Sequence, residues 1–473
     1  MNVATMSDFT LLIPELILTG MALALILGAR RIQRTSLALA GTLLAALVAA
    51  LASALVLSWG TRIGFGGMII VDGYSQFFKI LIAAVLALAA LLSVKSFDGD
   101  EVPRAEYHAL LLLAGTGMML AVSARDLLPL YLSLELMTLC SYILVGIRVE
   151  RPTANEAAIK YFLLGSFASA LLIYGISLTY GITGTTDFSV IASVLSEHGP
   201  GSNLLSLVAI GLVAAGLAFK IAAVPLHAWA PDAYQGASAP VAAFLAAGSK
   251  AVGLAALGRV CLTAYGTEAQ FLSLILVGLA GLSIIVGSIL ALSQTDMKRL
   301  LAYSSIAHAG YALLGLIAGT SEGVSATMIY AFFYVFMTLG TFGVVIALGE
   351  RGETLDGYQG LAAQRPGAAM LMLFFLMSLT GIPPTAGFVA KFVVILSVVR
   401  AGHAALAVLA VACSVISAFI YMRVVVLMYM KEAQEPAPAR FPAAVFAALA
   451  VAALVTLIGG IFPGILTPWV VSP

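Results

Sequence analysis

The sequence predicts an all-α polytopic membrane protein of about fourteen transmembrane helices, a single transmembrane domain running from residue 1 to 473. Three observations predict it. Hydrophobic residues make up 62% of the chain and charged residues 10%, with a mean hydropathy of +1.09, whereas a soluble domain carries roughly 25% charge. Apolar runs of the ~20 residues that a bilayer crossing needs recur along the whole length, leaving no stretch for a sizeable soluble domain. Lysine and arginine segregate into alternate connections between those runs, as the connections of a multi-pass protein do. The net charge of +1 offers no field for nucleic acid. Cys140, Cys261 and Cys413 stand singly inside apolar runs without CxxC spacing, which argues against iron–sulfur ligation and against a disulfide framework.

In chain order the spans fall at about 11–29, 36–59, 73–94, 108–123, 127–147, 157–182, 203–229, 239–262, 271–293, 300–319, 323–348, 367–397, 403–430 and 441–467. The first run has no basic segment ahead of it and leads directly into Arg30 and Arg31, so it reads as a span rather than a cleaved signal peptide. One set of connections holds Arg30, Arg31, Arg34, Lys95, Arg104, Arg148, Arg151, Lys298, Arg299, Arg351, Arg365, Lys431 and Arg440; the other holds Arg62, Arg125 and Arg400. Cytoplasmic loops keep the positive excess, so this bias places both termini on the outer side and agrees with an even number of spans.

Proline and glycine then mark two spans as broken. Pro225 interrupts the seventh, and Gly381-Ile-Pro-Pro-Thr-Ala-Gly387 interrupts the twelfth. Each break removes an amide donor and frees carbonyls, here at Ile221, Leu379 and Thr380, which hydrocarbon tolerates only beside protein or a wet cavity. Spans four to eight (108–262) and nine to thirteen (271–430) make two sets of five, each with its broken span fourth. A five-helix repeat must insert upside down the second time, the inverted-repeat pattern of transporters.

Charges inside the spans are few, and on insertion scales each costs about 2.5–3.5 kcal/mol near a helix centre. Glu135 sits near the middle of span five; its plain alternative role is a structural carboxylate bonded to a neighbouring helix. Lys220 lies five residues before Pro225, which puts its ammonium beside loosened carbonyls at the end of a half-helix, the alternative being snorkelling toward the cytoplasm. Lys250 lies eleven residues into span eight, too deep for an easy snorkel. Lys391 follows Pro384 by seven residues. A carboxylate and a lysine that approach hold each other ionised, and on separating the lysine can pass a proton to the next group. Secondary candidates are His227 and His308 as relays, Lys160 near a span end, and Tyr303 and Tyr421 as water-bridging hydroxyls. Lys79, Glu15, Arg259 and Arg423 read as residues anchored at or snorkelling to an interface. The zinc-protease, dinucleotide, Walker A and heme-attachment patterns are missing, so the sequence offers no redox or hydrolytic chemistry of its own.

The run Val224-Pro225-Leu226-His227-Ala228-Trp229-Ala230-Pro231-Asp232-Ala233-Tyr234-Gln235-Gly236-Ala237, continuing through Pro240 to Gly248-Ser249-Lys250, resembles the antiporter-like membrane subunits of respiratory complex I. Ser378–Phe388 with Lys391, and Asp296–Ile306, are similar to two further blocks of that family; together the resemblance covers about spans four to thirteen. Lys391 stands where the M-type sister has a glutamate, the chain stops at Pro473 without the lateral helix of the L type, and span eight carries Ala-Pro-Val-Ala-Ala-Phe-Leu in place of the sisters' histidine-bearing sequence. These features leave the third sister type.

The resemblance implies proton translocation in a bacterial inner membrane, with Glu135 and Lys220 as the coupled pair, Lys250 as central relay, Lys391 as terminal site, and Lys160 and His227 as helpers. It implies no cofactor in this chain; NADH, FMN, iron–sulfur clusters and quinone belong to partner subunits. The expected partners are a neighbouring antiporter-like subunit, small membrane subunits and the lipid bilayer. The alternatives are a subunit of a multi-subunit cation/proton antiporter, or a non-pumping scaffold whose charges only hold helices together.

Overall fold

A computed structural model describes residues 6–29, 35–94, 96–97, 102–199, 201, 203–433, 441–471 and 473. Among them, eleven helices are long and apolar enough to cross a membrane. The three remaining spans are present as shorter pieces: Ile13–Gly28, the seventh as Leu204–Lys220 followed by Trp229–Gly236, and the twelfth as Pro366–Thr380 followed by Ala386–Arg400. The chain is thus a multi-pass helical membrane protein whose spans follow the hydropathy pattern. Of the residues used for orientation, Arg30, Arg31, Arg34, Lys95 and Arg440 lie outside the described residues.

Helix starts are set by short polar side chains that accept otherwise orphaned amides. Asp72 takes the Ser75 amide in a reciprocal capping box, Asp126 takes that of Leu128, Asn203 that of Leu205, and Asp296 that of Arg299. A helix that hydropathy did not reveal, Phe188–His198, is capped by Asp187 in the connection between the sixth and seventh spans. A two-stranded hairpin, Arg62–Gly64 with Ile69–Val71, joins the second span to the third.

The central stretches of the eighth and tenth spans are wholly buried and that of the eleventh nearly so, whereas only a third of the residues in the second and fourteenth are buried. Close approach depends on glycine, because van der Waals packing rather than hydrophobicity holds helices together in lipid. A Cβ on Gly117 would stand 2.7 Å from both the Ser133 carbonyl oxygen and the Met137 amide nitrogen of the fifth span. At Gly287 it would stand 2.5 Å from the Ala307 amide nitrogen and 2.8 Å from the Tyr303 carbonyl of the tenth. The fourth and fifth spans therefore pack as the ninth and tenth do. The likeness extends to the connections: the cap residue Asp126 forms a bridge with Asp187 after the sixth span, and the cap residue Asp296 forms one with Thr354 after the eleventh.

Candidate functional site

The fifth span, Leu127–Val145, carries Glu135 on one face with Thr138 three residues on, the spacing at which helical side chains meet. Lys220 Nζ lies 3.4 Å from Glu135 Oε1 and donates to Thr138 Oγ1 at 2.7 Å. Ser169 of the sixth span donates to the same carboxylate oxygen. Lys220 is buried, while the Glu135 side chain is 22% exposed and so looks toward the perimeter of the chain.

Lys220 ends the first half of the seventh span, but it does not stay beside the loosened carbonyls as the sequence suggests. The break closes itself. The Ala222 amide and Trp229 Nε1 donate to the Phe219 carbonyl at 3.0 and 2.9 Å, the Ala223 amide donates to the Ala218 carbonyl at 2.9 Å, and the Val224 amide donates to Ser283 Oγ at 2.9 Å. With the Ala218 and Phe219 carbonyls met locally, the ammonium turns to the carboxylate.

The eighth span passes directly behind. A Cβ at Gly253 would stand 2.5 Å from Ile221 Cγ2 and 3.4 Å from Lys220 Cβ, so the missing side chain lets the two spans touch at the break. Lys250 begins a regular α-helical stretch immediately after a π turn at Leu245–Ser249, a distortion that proline punctuation does not signal and that commonly accompanies functional sites. Its Nζ donates to the Ser305 carbonyl of the tenth span at 2.5 Å.

From Ser305 the tenth span continues the polar line at steps of one helical turn. His308 Nδ1 lies 2.7 Å from Tyr330 Oη, with its ring 5.2 Å from that of Tyr334. One turn further, the ring of Tyr311 has Lys391 Nζ 4.5 Å from its centroid, a cation–π contact. Lys391 belongs to the second half of the twelfth span and reaches back to the first, donating to the Thr380 carbonyl at 2.8 Å and to Ser414 Oγ at 2.9 Å. Thr380 ends its half-helix, so here a cation does sit on a helix C-terminus. Tyr421 joins through the hydroxyl of Ser304, next to Ser305.

Three helpers fall off this line. Tyr303 lies under Arg299, whose guanidinium is 6.0 Å from its ring centroid. Lys160 is half exposed and pairs with Glu156 at 2.7 Å and Asp232 at 3.4 Å; Asp232 also binds Arg299 at 2.8 Å. His227 is half-buried within the seventh-span break.

Of the four residues read as interface anchors, Glu15, Lys79 and Arg259 are buried, and Arg423 stays partly exposed at a span end. Lys79 is fully buried and pairs with buried Glu15 at 2.7 Å, so neither reaches an interface. Arg259 is buried in a two-armed pair with Asp72, at 2.8 and 2.9 Å. Burial pushes the Asp72 carboxyl up, but the Arg259 charge together with the Ser75 hydrogen bonds outweighs it and leaves the group below the ordinary carboxylate value. Arg423 caps the end of the ninth span through the carbonyls of Leu292 and Gln294, at 2.8 and 2.6 Å. Sequence reading also missed Thr138, Ser169, Ser305, Tyr311, Tyr330 and Ser414. Only Thr138 carried a signal, its spacing from Glu135.

Chemically, the site sets titratable groups (Glu135, Lys220, Lys250, His308, Lys391) among hydroxyls and carbonyls that hydrogen-bond to them. Residues 124–417 match the family described as NADH:quinone oxidoreductase/Mrp antiporter, TM. A curated relative from Desulfovibrio desulfuricans, named NADH-quinone oxidoreductase subunit N, is 44% identical over 98% of this chain and 96% of its own. A chain in the solved structure of respiratory complex I from Thermus thermophilus superposes with a TM-score of 0.83 at 34% identity, covering 96% of this chain and 99% of that one. A chain of the Mrp complex from Dietzia superposes with a TM-score of 0.85 over 97% of this chain and 96% of that one, but at 22% identity it shares the fold alone. The chain belongs to the NADH:quinone oxidoreductase/Mrp antiporter family of membrane subunits.

Proposed function

We propose that this chain is the N-type antiporter-like subunit of an NADH–quinone oxidoreductase and that it translocates protons along the line from Glu135 to Lys391. Electron transfer from NADH through FMN and iron–sulfur clusters to quinone takes place in other subunits, and this chain is driven by it. The observation that carries the reading is the set of titratable groups brought together inside the spans: Glu135 and Lys220 paired at 3.4 Å, Lys250 on the Ser305 carbonyl, and along the tenth span from there His308, Tyr311 and Lys391. A scaffold has no use for protonatable groups such as Lys250 and His308 in the most buried spans, where each is costly to hold. The cation/proton antiporter alternative rests on a likeness at 22% identity, against 44% for the quinone-reductase relative.

In this reading separation of Lys220 from Glu135 frees a proton for Lys250, and Lys391 is the terminal site. The matched glycine contacts and cap bridges support residues 108–262 and 271–430 as inverted repeats. The arginine and lysine bias supports both termini on the outer side of a bacterial inner membrane. The test is Lys250→Ala in the assembled complex in sealed vesicles. Proton pumping and coupled quinone reduction should fall together while the complex stays assembled, and pumping at the parental rate refutes the relay.

A further inference from the structure

Three span ends meet around a cavity of about 720 Å³: the start of the seventh span at Leu204, of the ninth at Ala269 and of the thirteenth at Ala404. One carboxylate lines it. Glu268, in the connection that leads into the ninth span, is 5% exposed, and its two oxygens share the Gly201 amide at 3.0 and 3.1 Å. Among the described residues no lysine, arginine or histidine pairs with it. A carboxylate offers about four lone-pair sites, so one shared amide leaves the greater part of them unmet. A charge buried in this way is costly without a cation. Further polar groups line the same space. Ser273 Oγ lies 3.4 Å from His403 Nε2, and the Thr267 hydroxyl is buried with no hydrogen-bond partner among the described residues.

Below this polar end the lining turns apolar. Leu207, Leu274 and Val277 continue it down the seventh and ninth spans, and Val277 lies about 12 Å along its helix from Ala269 at the usual rise per residue. Leu204, Val208 and Leu274 are exposed on the same two spans, so among the described residues no other helix covers this flank. The cavity thus offers the two parts of a lipid in the order in which a bilayer presents them: polar groups at the helix ends, hydrocarbon one to two turns deeper. Its unpaired charge is negative, which calls for a cationic group on the ligand. A second cavity, of about 490 Å³, also holds a glutamate, Glu322, but there Arg400 meets the carboxylate at 3.2 Å and leaves no such demand.

We propose that this cavity binds a zwitterionic phospholipid with a primary ammonium headgroup, of the phosphatidylethanolamine type, in the leaflet at these span ends, which is the outer one in the topology proposed above. The ammonium donates to Glu268, the phosphate accepts from the Thr267 and Ser273 hydroxyls and the His403 ring, and one acyl chain lies along Leu207, Leu274 and Val277. A primary ammonium donates three hydrogen bonds and a quaternary one none, and a bond between ionised partners is the stronger kind. An anionic phospholipid without the ammonium would set its phosphate beside an uncompensated carboxylate. The bound lipid joins the seventh span to the ninth and thirteenth, and so bridges the two sets of five.

The experiment places the assembled complex in phosphatidylcholine vesicles doped with phosphatidylethanolamine that carries a photoreactive acyl chain, and maps the labelled peptides by mass spectrometry. Label is expected on residues 271–277, displaced by unlabelled phosphatidylethanolamine but not by added phosphatidylcholine or phosphatidylglycerol. Glu268→Gln keeps an acceptor for the Gly201 amide and removes the charge, and should lower that labelling by about tenfold. Val277→Trp fills the apolar end with the carboxylate intact and should lower it too. Displacement by phosphatidylcholine as effective as by phosphatidylethanolamine marks ordinary lipid contact and overturns the proposal, and so does parental labelling of either variant. Absence of label from this segment overturns it as well, because a partner subunit then covers the cavity. If one variant fails to assemble the other decides, and if both fail the competition in the parental complex decides. None of these readouts involves pumping, so the lipid site stands or falls separately from the relay.

Discussion

In the seventh span Lys220 closes the first half-helix and turns to a carboxylate on another span, whereas in the twelfth Lys391 stands on the second half-helix and reaches back to the carbonyl that ends the first. The difference follows from who satisfies the broken backbone. Trp229 and two local amides close the first break, so its lysine is available to Glu135. At the second break Lys391 and Ser414 both donate to the Thr380 carbonyl, and the ammonium is held by dipoles and an aromatic ring instead of a countercharge. The same residue type at the two breaks is thus held in two ways: as partner of a carboxylate at one, as occupant of a helix end at the other.

The largest effect that separates the two sites is loss of a countercharge. Lys220→Met should destabilise the assembled complex by about 3 kcal/mol, the lower end for an orphaned buried charge, because Glu135 is partly exposed and can recover some hydration. Adding Glu135→Leu should restore most of that stability without restoring pumping. Thermal unfolding of the purified complex reads the first and vesicle assays the second. Lys220→Arg sharpens the point: it should keep the pair and the stability yet abolish proton transfer.

Next in size is steric. A Cβ on Gly387 would stand 1.7 Å from the Ser378 carbonyl oxygen, a backbone atom, whereas at Gly253 the nearest atom is a methyl of Ile221 at 2.5 Å. Overpacking costs typically about 1–3 kcal/mol, and Gly387→Ala should lie in the upper part of that range with Gly253→Ala near the bottom. Equal melting shifts for the two would break the comparison.

Lys391→Met removes two charge-assisted hydrogen bonds but leaves the Thr380 carbonyl and the Ser414 hydroxyl bonded to each other, so it should cost about 1.5–3 kcal/mol, less than its counterpart at Lys220. A larger loss than Lys220→Met would mean that the second break, not the first, holds the critical charge. The smallest effect is Ser414→Ala, at about 1 kcal/mol, with pumping reduced rather than lost. Full loss of pumping in Ser414→Ala would instead place the hydroxyl on the route of the proton.

Much of this arrangement was legible along the chain. Hydropathy located all fourteen spans, proline and glycine located both breaks, and an isolated charge in an apolar run was enough to single out Glu135, Lys220, Lys250 and Lys391. What stayed hidden was whatever depends on pairing across spans. Lys79 lies so near the start of its helix that snorkelling looked natural, and only the packing of Ile13–Gly28 against it shows a buried partner. Tyr303 and His308 looked alike on one helix, yet five residues of rotation turn one toward Arg299 and the other toward Tyr330. Ser305 could not be found at all, because it contributes a backbone carbonyl, which every residue has.

The π turn at Leu245–Ser249 gives the eighth span a phase as well as a length. From Lys250 to Arg259 the helix is regular, and nine residues at about 100° each amount to two and a half turns, so the two cations emerge on opposite sides. One meets the tenth span at Ser305 and the other the third span at Asp72. A second π turn, Val260–Ala264, follows directly. Each such turn holds one residue more than a straight helix would need, and removing that residue rotates everything beyond it by about 100° while hardly changing the distance spanned. A single-codon deletion here would therefore leave hydropathy, composition and every charged residue intact and still misdirect Lys250, a form of damage that no inventory of substitutions would anticipate.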